Sequence, residues 1–446
     1  MSEYWCEYAW LGDPARPAEP GVLIEESGGV VTAVTSTVDE PPAGSRRLGG
    51  LTVPGFADAH SHAFHRALRG RTHDGGGTFW TWRDRMYQVA SRLDPDSYLR
   101  LARAVYAEMA LAGITAVGEF HYLHHGPNGA GYANPNAMGE ALVEAARQAG
   151  IRICLLDTLY RTGGLTDRGY QPLSPVQQRF ADADADAWQR RYEKIELGPH
   201  ATRGAAIHSV RAVPETALRG FAERVGDAPL HVHLSEQRAE NEACQAFHGR
   251  TPTQLLAEHG LLGPNLTAVH ATHPAADDVT ALGAAGVGVC LCPTTERELA
   301  DGIGPARALV DAGCRLSLGS DSHAVIDPLA EARAVEMHER LATERRGHFT
   351  AGELLAAATG AGHAALGRPD AGRLAAGAPA DLVTVALDSV RTAGADEPLA
   401  AAVFAATATD VRSVIVDGRP VVEDGRHLLV DDVAGELSAT IREVLA

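Results

Sequence analysis

Several short stretches of the sequence end in side chains that can hold a metal ion or move a proton. His60 and His62 stand two residues apart in Pro54-Gly-Phe-Ala-Asp-Ala-His60-Ser-His62. In an extended strand alternate side chains share a face, so both imidazoles can point at one cation. His233 ends the run His231-Val-His233, and Glu236 follows three residues later, where a strand should give way to a loop. Leu266-Thr-Ala-Val-His270 and Ser317-Leu-Gly-Ser-Asp321-Ser-His323 each finish an apolar run with a titratable group. A lone HxH pair is more often a solvated or hydrogen-bonded pair than a metal site. The full set, each member at the end of an apolar run, points to metal-assisted chemistry.

Such residues need a scaffold that brings strand ends together. From about residue 53 to 370, helical stretches alternate with short β-branched runs, the pattern of a parallel α/β fold. One helix starts at Pro95, places Leu99, Ala102, Tyr106, Met109 and Ala110 at helical spacing, and stops at Ala112-Gly113. The same Ala-Gly joint precedes the runs at Ile151, Val287 and Cys314. With runs at Leu51–Val53, Ile114–Val117, Ala205–Ile207, Leu230–Leu234 and Leu266–Val269, the candidate strands number eight. Eight strands predict an α/β TIM (β/α)8 barrel, whose chemistry sits at the C-terminal ends of its strands. The runs do lead into His60 and His62, Glu119 and His121, Asp157, His208, His233, His270, Cys292 and Asp321. The termini read differently. Val22–Val34 is a hairpin around Ser-Gly-Gly, and Ala380–Ala386 and Val411–Val422 are β-rich. Both ends are therefore expected to build one small β-sandwich domain, from residues 1–52 and 373–446, around a barrel at 53–372.

Composition narrows the partners. The 446 residues carry a formal net charge of −18, the opposite of the basic footprint of a protein that grips nucleic acid or an anionic membrane. No run of 18 apolar residues occurs, and Glu3, Glu7 and Asp13 replace the basic start of a signal peptide, so a cytoplasmic location is expected. Six cysteines without a CxxC pair read as small buried groups.

The strand-end set strongly resembles the amidohydrolase superfamily, whose members hydrolyse C–N and related bonds in a TIM barrel flanked by a small β-domain. The resemblance spans nearly the whole chain, including Gly372-Arg-Leu-Ala-Ala-Gly-Ala-Pro-Ala-Asp381 at the return to the second domain. It implies His60, His62, His233 and Asp321 as metal ligands, with room for a water whose pKa a divalent cation lowers to about 7. Relatives with two metals use a carboxylated lysine, but the only lysine here, Lys194, lies outside every candidate strand. One metal is expected, zinc first, with Fe2+ or Mn2+ open. Glu236, His270 and Asp321 are the implied catalytic groups, and the order in which they take protons is left open.

Within the superfamily, His60-Ser-His-Ala-Phe64, Phe79-Trp-Thr-Trp-Arg83-Asp-Arg-Met-Tyr87, Glu119-Phe-His-Tyr122-Leu-His-His125 and His208-Ser-Val-Arg211-Ala-Val-Pro214 look like loops of the N-formimidoyl-L-glutamate deiminase family. That resemblance implies release of ammonia from a formimino group in histidine degradation, and a small substrate with two carboxylates. Arginine suits bidentate carboxylate recognition. Arg83, Tyr122, His208 and Arg211 are the implied substrate contacts. His65 is counted with them, although it stands where the family carries glutamine, a change that would add pH dependence. Trp80 and Trp82 are expected as loop anchors, and His121, His124, His125, His273 and His323 as structural groups. The alternatives are an amidohydrolase that deaminates a heterocycle of the guanine, cytosine or adenosine type, and a non-catalytic scaffold. A homodimer is open to the chain, although nothing in the sequence reads out assembly.

Overall fold

Apolar and β-branched runs, largely buried on both faces, form eight parallel strands in the computed structural model, which describes residues 2–73, 77 and 79–446. They are numbered here β1 (Phe56–Ser61), β2 (Ile114–His121), β3 (Arg152–Leu159), β4 (Ala201–Ile207), β5 (Leu230–Leu234), β6 (Leu266–His270), β7 (Gly288–Leu291) and β8 (Arg315–Leu318). Each pairs in parallel with its neighbours in chain order. A bridge between Ser61 and Asp321 brings the first strand back to the last, so the sheet is a nearly closed TIM barrel. Helices return the chain between strands, as right-handed parallel crossovers require.

The local signals act as the sequence predicts. The helix Pro95–Leu111 has proline in its first turn and Asp94 as a cap that accepts from the Ser97 amide. At the Ala-Gly joints, Gly113, Gly150, Gly286 and Gly313 have φ of 92°, 76°, 65° and 112°, the left-handed region that releases a helix into a strand.

Both chain ends meet in a second, eight-stranded sheet. The N-terminal part supplies Ser2–Ala9, Glu19–Ser27, Val30–Thr35 and Arg46–Pro54; the C-terminal part supplies Leu382–Val385, Val411–Val416, Arg419–Glu423 and Arg426–His427. Arg46–Pro54 pairs antiparallel with Leu382–Val385, which joins the two halves. This corrects the first barrel strand. Leu51–Val53 lies inside Arg46–Pro54 of the terminal sheet, and the barrel begins one segment later, at Phe56. Two apolar runs lie back to back across Gly55, and only pairing partners distinguish them. No helix among the described residues is long and apolar enough to cross a membrane.

One buried ion pair ties the sheet to the barrel. Arg152, at the start of β3, donates from Nε and Nη2 to Asp381 at 2.9 and 3.0 Å, and Nη2 also reaches Asp417 at 3.1 Å. Arg152 and Asp381 are both buried, so losing the guanidinium strands a carboxylate in a poorly solvating site. Arg152→Met is expected to lower the unfolding free energy by about 3 kcal/mol in a urea titration. A change under about 0.5 kcal/mol would show that the pair contributes little.

Candidate active site

The ends of β1, β5 and β8 converge on one buried point. The ligand-capable atoms of His60, His62, His233 and Asp321 all lie within 4.8 Å of one another. Asp321 Oδ1 is 3.2 Å from His60 Nε2 and 3.4 Å from His62 Nε2, and His233 Nε2 is 3.1 Å from His60 Nε2. Two carbonyls fix the tautomers. His62 Nδ1 lies 2.9 Å from the Phe120 carbonyl and His233 Nδ1 lies 2.9 Å from the His208 carbonyl. A carbonyl can only accept, so both protons sit on Nδ1 and both Nε2 lone pairs face the shared point. Burial pushes His62 down to about 3 and lowers His60 and His233 well below the ordinary histidine range, so neutral imidazoles fill the site. Three neutral nitrogens and a carboxylate fit a divalent cation.

The frame around this point is rigid. Ser61 donates to Glu119 at 2.7 Å, the Ala63 amide donates to the other oxygen of Glu119 at 2.7 Å, and the Ser61 hydroxyl lies 3.0 Å from His323 Nε2. Glu119 and His323 therefore clamp the HxH strand end and are not among the convergent ligand atoms. Burial raises the Glu119 carboxyl to about 8. The Asp321 amide donates to the His60 carbonyl at 2.9 Å. Ser235, His270, Ala271, Asp321 and His323 all have positive φ, between 41° and 69°. Non-glycine residues hold that conformation at a cost of about 1–3 kcal/mol each, and here the strain turns side chains at strand ends into the barrel mouth.

His270 and Glu236 stand beside the ligand set. His270 Nε2 is 4.0 Å from Glu236 Oε1 and 3.8 Å from Asp321 Oδ2, while its Nδ1 lies 3.4 Å from Glu296 Oε1. Burial opposes a charge on His270, yet the Glu296 hydrogen bond and the charges of Glu236 and Asp321 outweigh it and push His270 up to about 10. Glu296 is itself anchored by the Cys292 amide at 2.9 Å. The sequence reading missed Glu296, which lies in the short helix Pro293–Glu298 after β7.

A cavity of about 250 Å³ opens onto the same point, and His65, Arg83, Tyr122, His208 and Arg211 all line it. His65 Nε2 lies 3.1 Å from the Tyr122 hydroxyl. Burial keeps that phenol protonated, raising it well above its ordinary value. Burial also lowers His65 well below the usual range, so it stays neutral near pH 7. Desolvation weighs against the pH dependence expected from a histidine at this position. A nearby cation would push it further the same way. His65→Gln is expected to leave the shape of the kcat/KM profile unchanged between about pH 6 and 8, and a limb that disappears on substitution would contradict this.

The tryptophan segment is also corrected. Phe79–Arg92 is a helix, not a loop, and it forms one cavity wall. Trp82 is buried with its ring edge-on to His65 at 5.0 Å, whereas Trp80 is 42% exposed and carries the Arg83 guanidinium over its ring at 4.5 Å. No acidic side chain pairs with Arg83 among the described residues. Arg211 is engaged: its Nη2 donates to Glu236 Oε2 at 3.1 Å.

His121, His124 and Asp157 form a second convergent group. Both Asp157 oxygens already accept from Arg191, at 2.6 and 2.8 Å, and Arg191 also binds Asp182 at 2.8 Å. With both Asp157 oxygens engaged by Arg191, this set serves as an ion pair that pins the helix Ala185–Tyr192 to the barrel. Lys194 is exposed, follows the helix Ala185–Tyr192 and lies outside every barrel strand.

The amidohydrolase family profile matches residues 51–421. The chain is 39% identical to a formimidoylglutamate deiminase from Pseudomonas aeruginosa, over 86% of this chain and 87% of that protein. An amidohydrolase from Brucella melitensis superposes with a TM-score of 0.92 at 33% identity, covering 100% of both chains. An adenosine deaminase from Xanthomonas campestris with bound zinc superposes with a TM-score of 0.83 at 25% identity, covering 99% of this chain and 97% of that one.

Proposed function

The chain belongs to the amidohydrolase family, and from that premise we propose that it hydrolyses N-formimidoyl-L-glutamate to N-formyl-L-glutamate and ammonia, a cytoplasmic step of histidine degradation. The observation that carries this reading is the pair of arginines, Arg83 and Arg211, facing the cavity that also holds the four ligand groups and Glu236. A glutamate backbone presents two carboxylates, and two guanidinium groups on separate elements suit them. The similarity to a formimidoylglutamate deiminase supports the same substrate.

His60, His62, His233 and Asp321 would hold one divalent cation, and the bound zinc of the adenosine deaminase relative supports zinc. Such a cation supplies Lewis acidity and lowers the pKa of water to about 7. The chain's own groups do the rest. Asp321 accepts the proton of the attacking water as the C–O bond forms at the formimino carbon. Glu236, entering as the acid, gives a proton to the terminal nitrogen to complete the adduct. The proton held by Asp321 then passes to the same nitrogen while Glu236 regains one from the adduct's hydroxyl, so the C–N bond breaks, the formyl C=O forms and ammonia leaves. His270, steadied through Nδ1 by Glu296, presents Nε2 to Glu236 and Asp321 and orients the water between them. Tyr122, hydrogen-bonded to His65, and His208 pack beside the substrate.

The direct test is ammonia release from N-formimidoyl-L-glutamate by zinc-loaded protein; no ammonia from folded, metal-replete protein overturns the reading. A second reading, deamination of a heterocycle, draws on the aromatic walls Phe79, Trp82, Tyr160 and Phe180 and on the adenosine deaminase similarity. Arg83→Met, which leaves the pairing of Arg211 with Glu236 and Glu240 intact, separates the two. On the dianionic substrate it should cost about 2 kcal/mol of transition-state binding, about 30-fold in kcat/KM. A heterocycle has no carboxylates to lose, so its turnover would stay within about threefold of wild type.

A further inference from the structure

Glu240 is a buried acid that the reaction above does not use. It lies in the first turn of the helix Arg238–His248, is 1% exposed, and neither carboxylate oxygen has a hydrogen-bond partner. The nearest cationic atom recorded for it is Arg211 Nε, 3.6 Å from Oε2, and that nitrogen is also buried without a hydrogen-bond partner. On its other edge Arg211 donates from Nη2 to Glu236 at 3.1 Å, and its guanidinium lies 5.6 Å from the Phe79 ring. One guanidinium is thus bracketed by two carboxylates, one of them placed for proton delivery.

We propose that Glu240 is a positioning residue that holds the Nε edge of Arg211, so that an incoming substrate carboxylate can take the Nη2 edge from Glu236 while the arginine stays in place. This rests on the dicarboxylate reading of the cavity. A buried carboxylate costs several kcal/mol unless a cation faces it, and Arg211 is the cation recorded within 4 Å. A guanidinium has a rigid fork with separate edges, so one edge can be anchored while the other exchanges partners. Without Glu240, Arg211 is free to turn both edges onto Glu236. The same move would then weaken capture of the substrate and tie up the proton donor. Burial pushes Glu240 up to about 7, with Arg211 pulling it down most, Glu236 pushing it up, and the Glu236 amide and His270 pulling it down further.

The test is calorimetric binding of glutarate, an unreactive dicarboxylate, to zinc-loaded wild type, Glu240→Gln, Arg211→Met and the double variant. Glu240→Gln is expected to weaken glutarate at least about tenfold on the wild-type background and by less than about twofold on Arg211→Met. Equal affinity in wild type and Glu240→Gln overturns the proposal, as does a tenfold loss that persists without Arg211, which is the mark of a structural role. Should Glu240→Gln fail to fold, the same cycle with Glu240→Asp decides, since a shortened carboxylate also loses the Nε edge. Wild type that does not bind glutarate overturns the dicarboxylate reading itself and this role with it. Equal affinities overturn this role alone.

Discussion

Asp321→Asn is expected to lower turnover by about four orders of magnitude while the protein stays folded. Asparagine keeps the size of the side chain and tolerates the positive φ of 41° at this position. The main-chain link to His60 is untouched, so the seam between β1 and β8 should hold. What goes is charge. The site then offers three neutral imidazoles and an amide, a weaker set for a divalent cation, and no carboxylate remains beside His60 and His62 to accept the proton of water. Loss of a proton acceptor alone costs about 10²–10⁴ in rate, and reduced metal occupancy adds to it. Zinc content after dialysis, read beside the ammonia rate and the thermal midpoint, checks each part. Full zinc occupancy with activity within tenfold of wild type would remove Asp321 from both roles.

What the sequence discloses and what it hides follow a physical line. The HxH pair, His233, His270 and Asp321 could be read because strand periodicity puts side chains of known chemistry at the ends of apolar runs, and a barrel gathers all such ends on one face. The first barrel strand was misplaced because Leu51–Val53 and Phe56–Ser61 are both buried apolar segments, and only hydrogen-bond partners assign one to the terminal sheet. The tryptophan segment is a helix whose buried face, Trp82, Met86, Val89 and Ala90, has helical spacing; its cavity-facing aromatics drew the loop reading away from that stripe. Glu296 and Glu240 left no signal because each acts on another side chain: their positions four residues after Cys292 and Glu236 make sense only once the helix turns are built. The net charge of −18 also misleads if taken as a local property. An anionic substrate of the kind proposed would meet Arg83 and Arg211 at close range, while surface acids beyond about 8 Å are screened by salt.

Glu236→Gln should separate proton delivery from binding, with kcat falling about a thousandfold and KM not rising. The carboxylate sits three residues beyond His233, where Ser235 at φ 51° turns the chain from β5 into the mouth. One oxygen faces His270 at 4.0 Å and the other accepts from Arg211 at 3.1 Å. A terminal amidine nitrogen leaves as ammonia only if it gains protons, and a carboxamide can donate a hydrogen bond there but cannot give a proton up. The loss therefore belongs to the bond-breaking step and lies within the 10²–10⁴ typical of a positioned acid or base. Binding moves the other way. The carboxylate that competes for Arg211 Nη2 is gone, so a substrate carboxylate meets that edge without having to displace a charge. A reduced kcat with unchanged KM marks an interaction made only in the transition state, a lower KM beside it marks the competition for Arg211 relieved in the ground state, and a raised KM with kcat unchanged would mark a group that merely binds. Single-turnover rates with zinc-replete protein distinguish these outcomes, and a kcat within tenfold of wild type would transfer the acid role to His270.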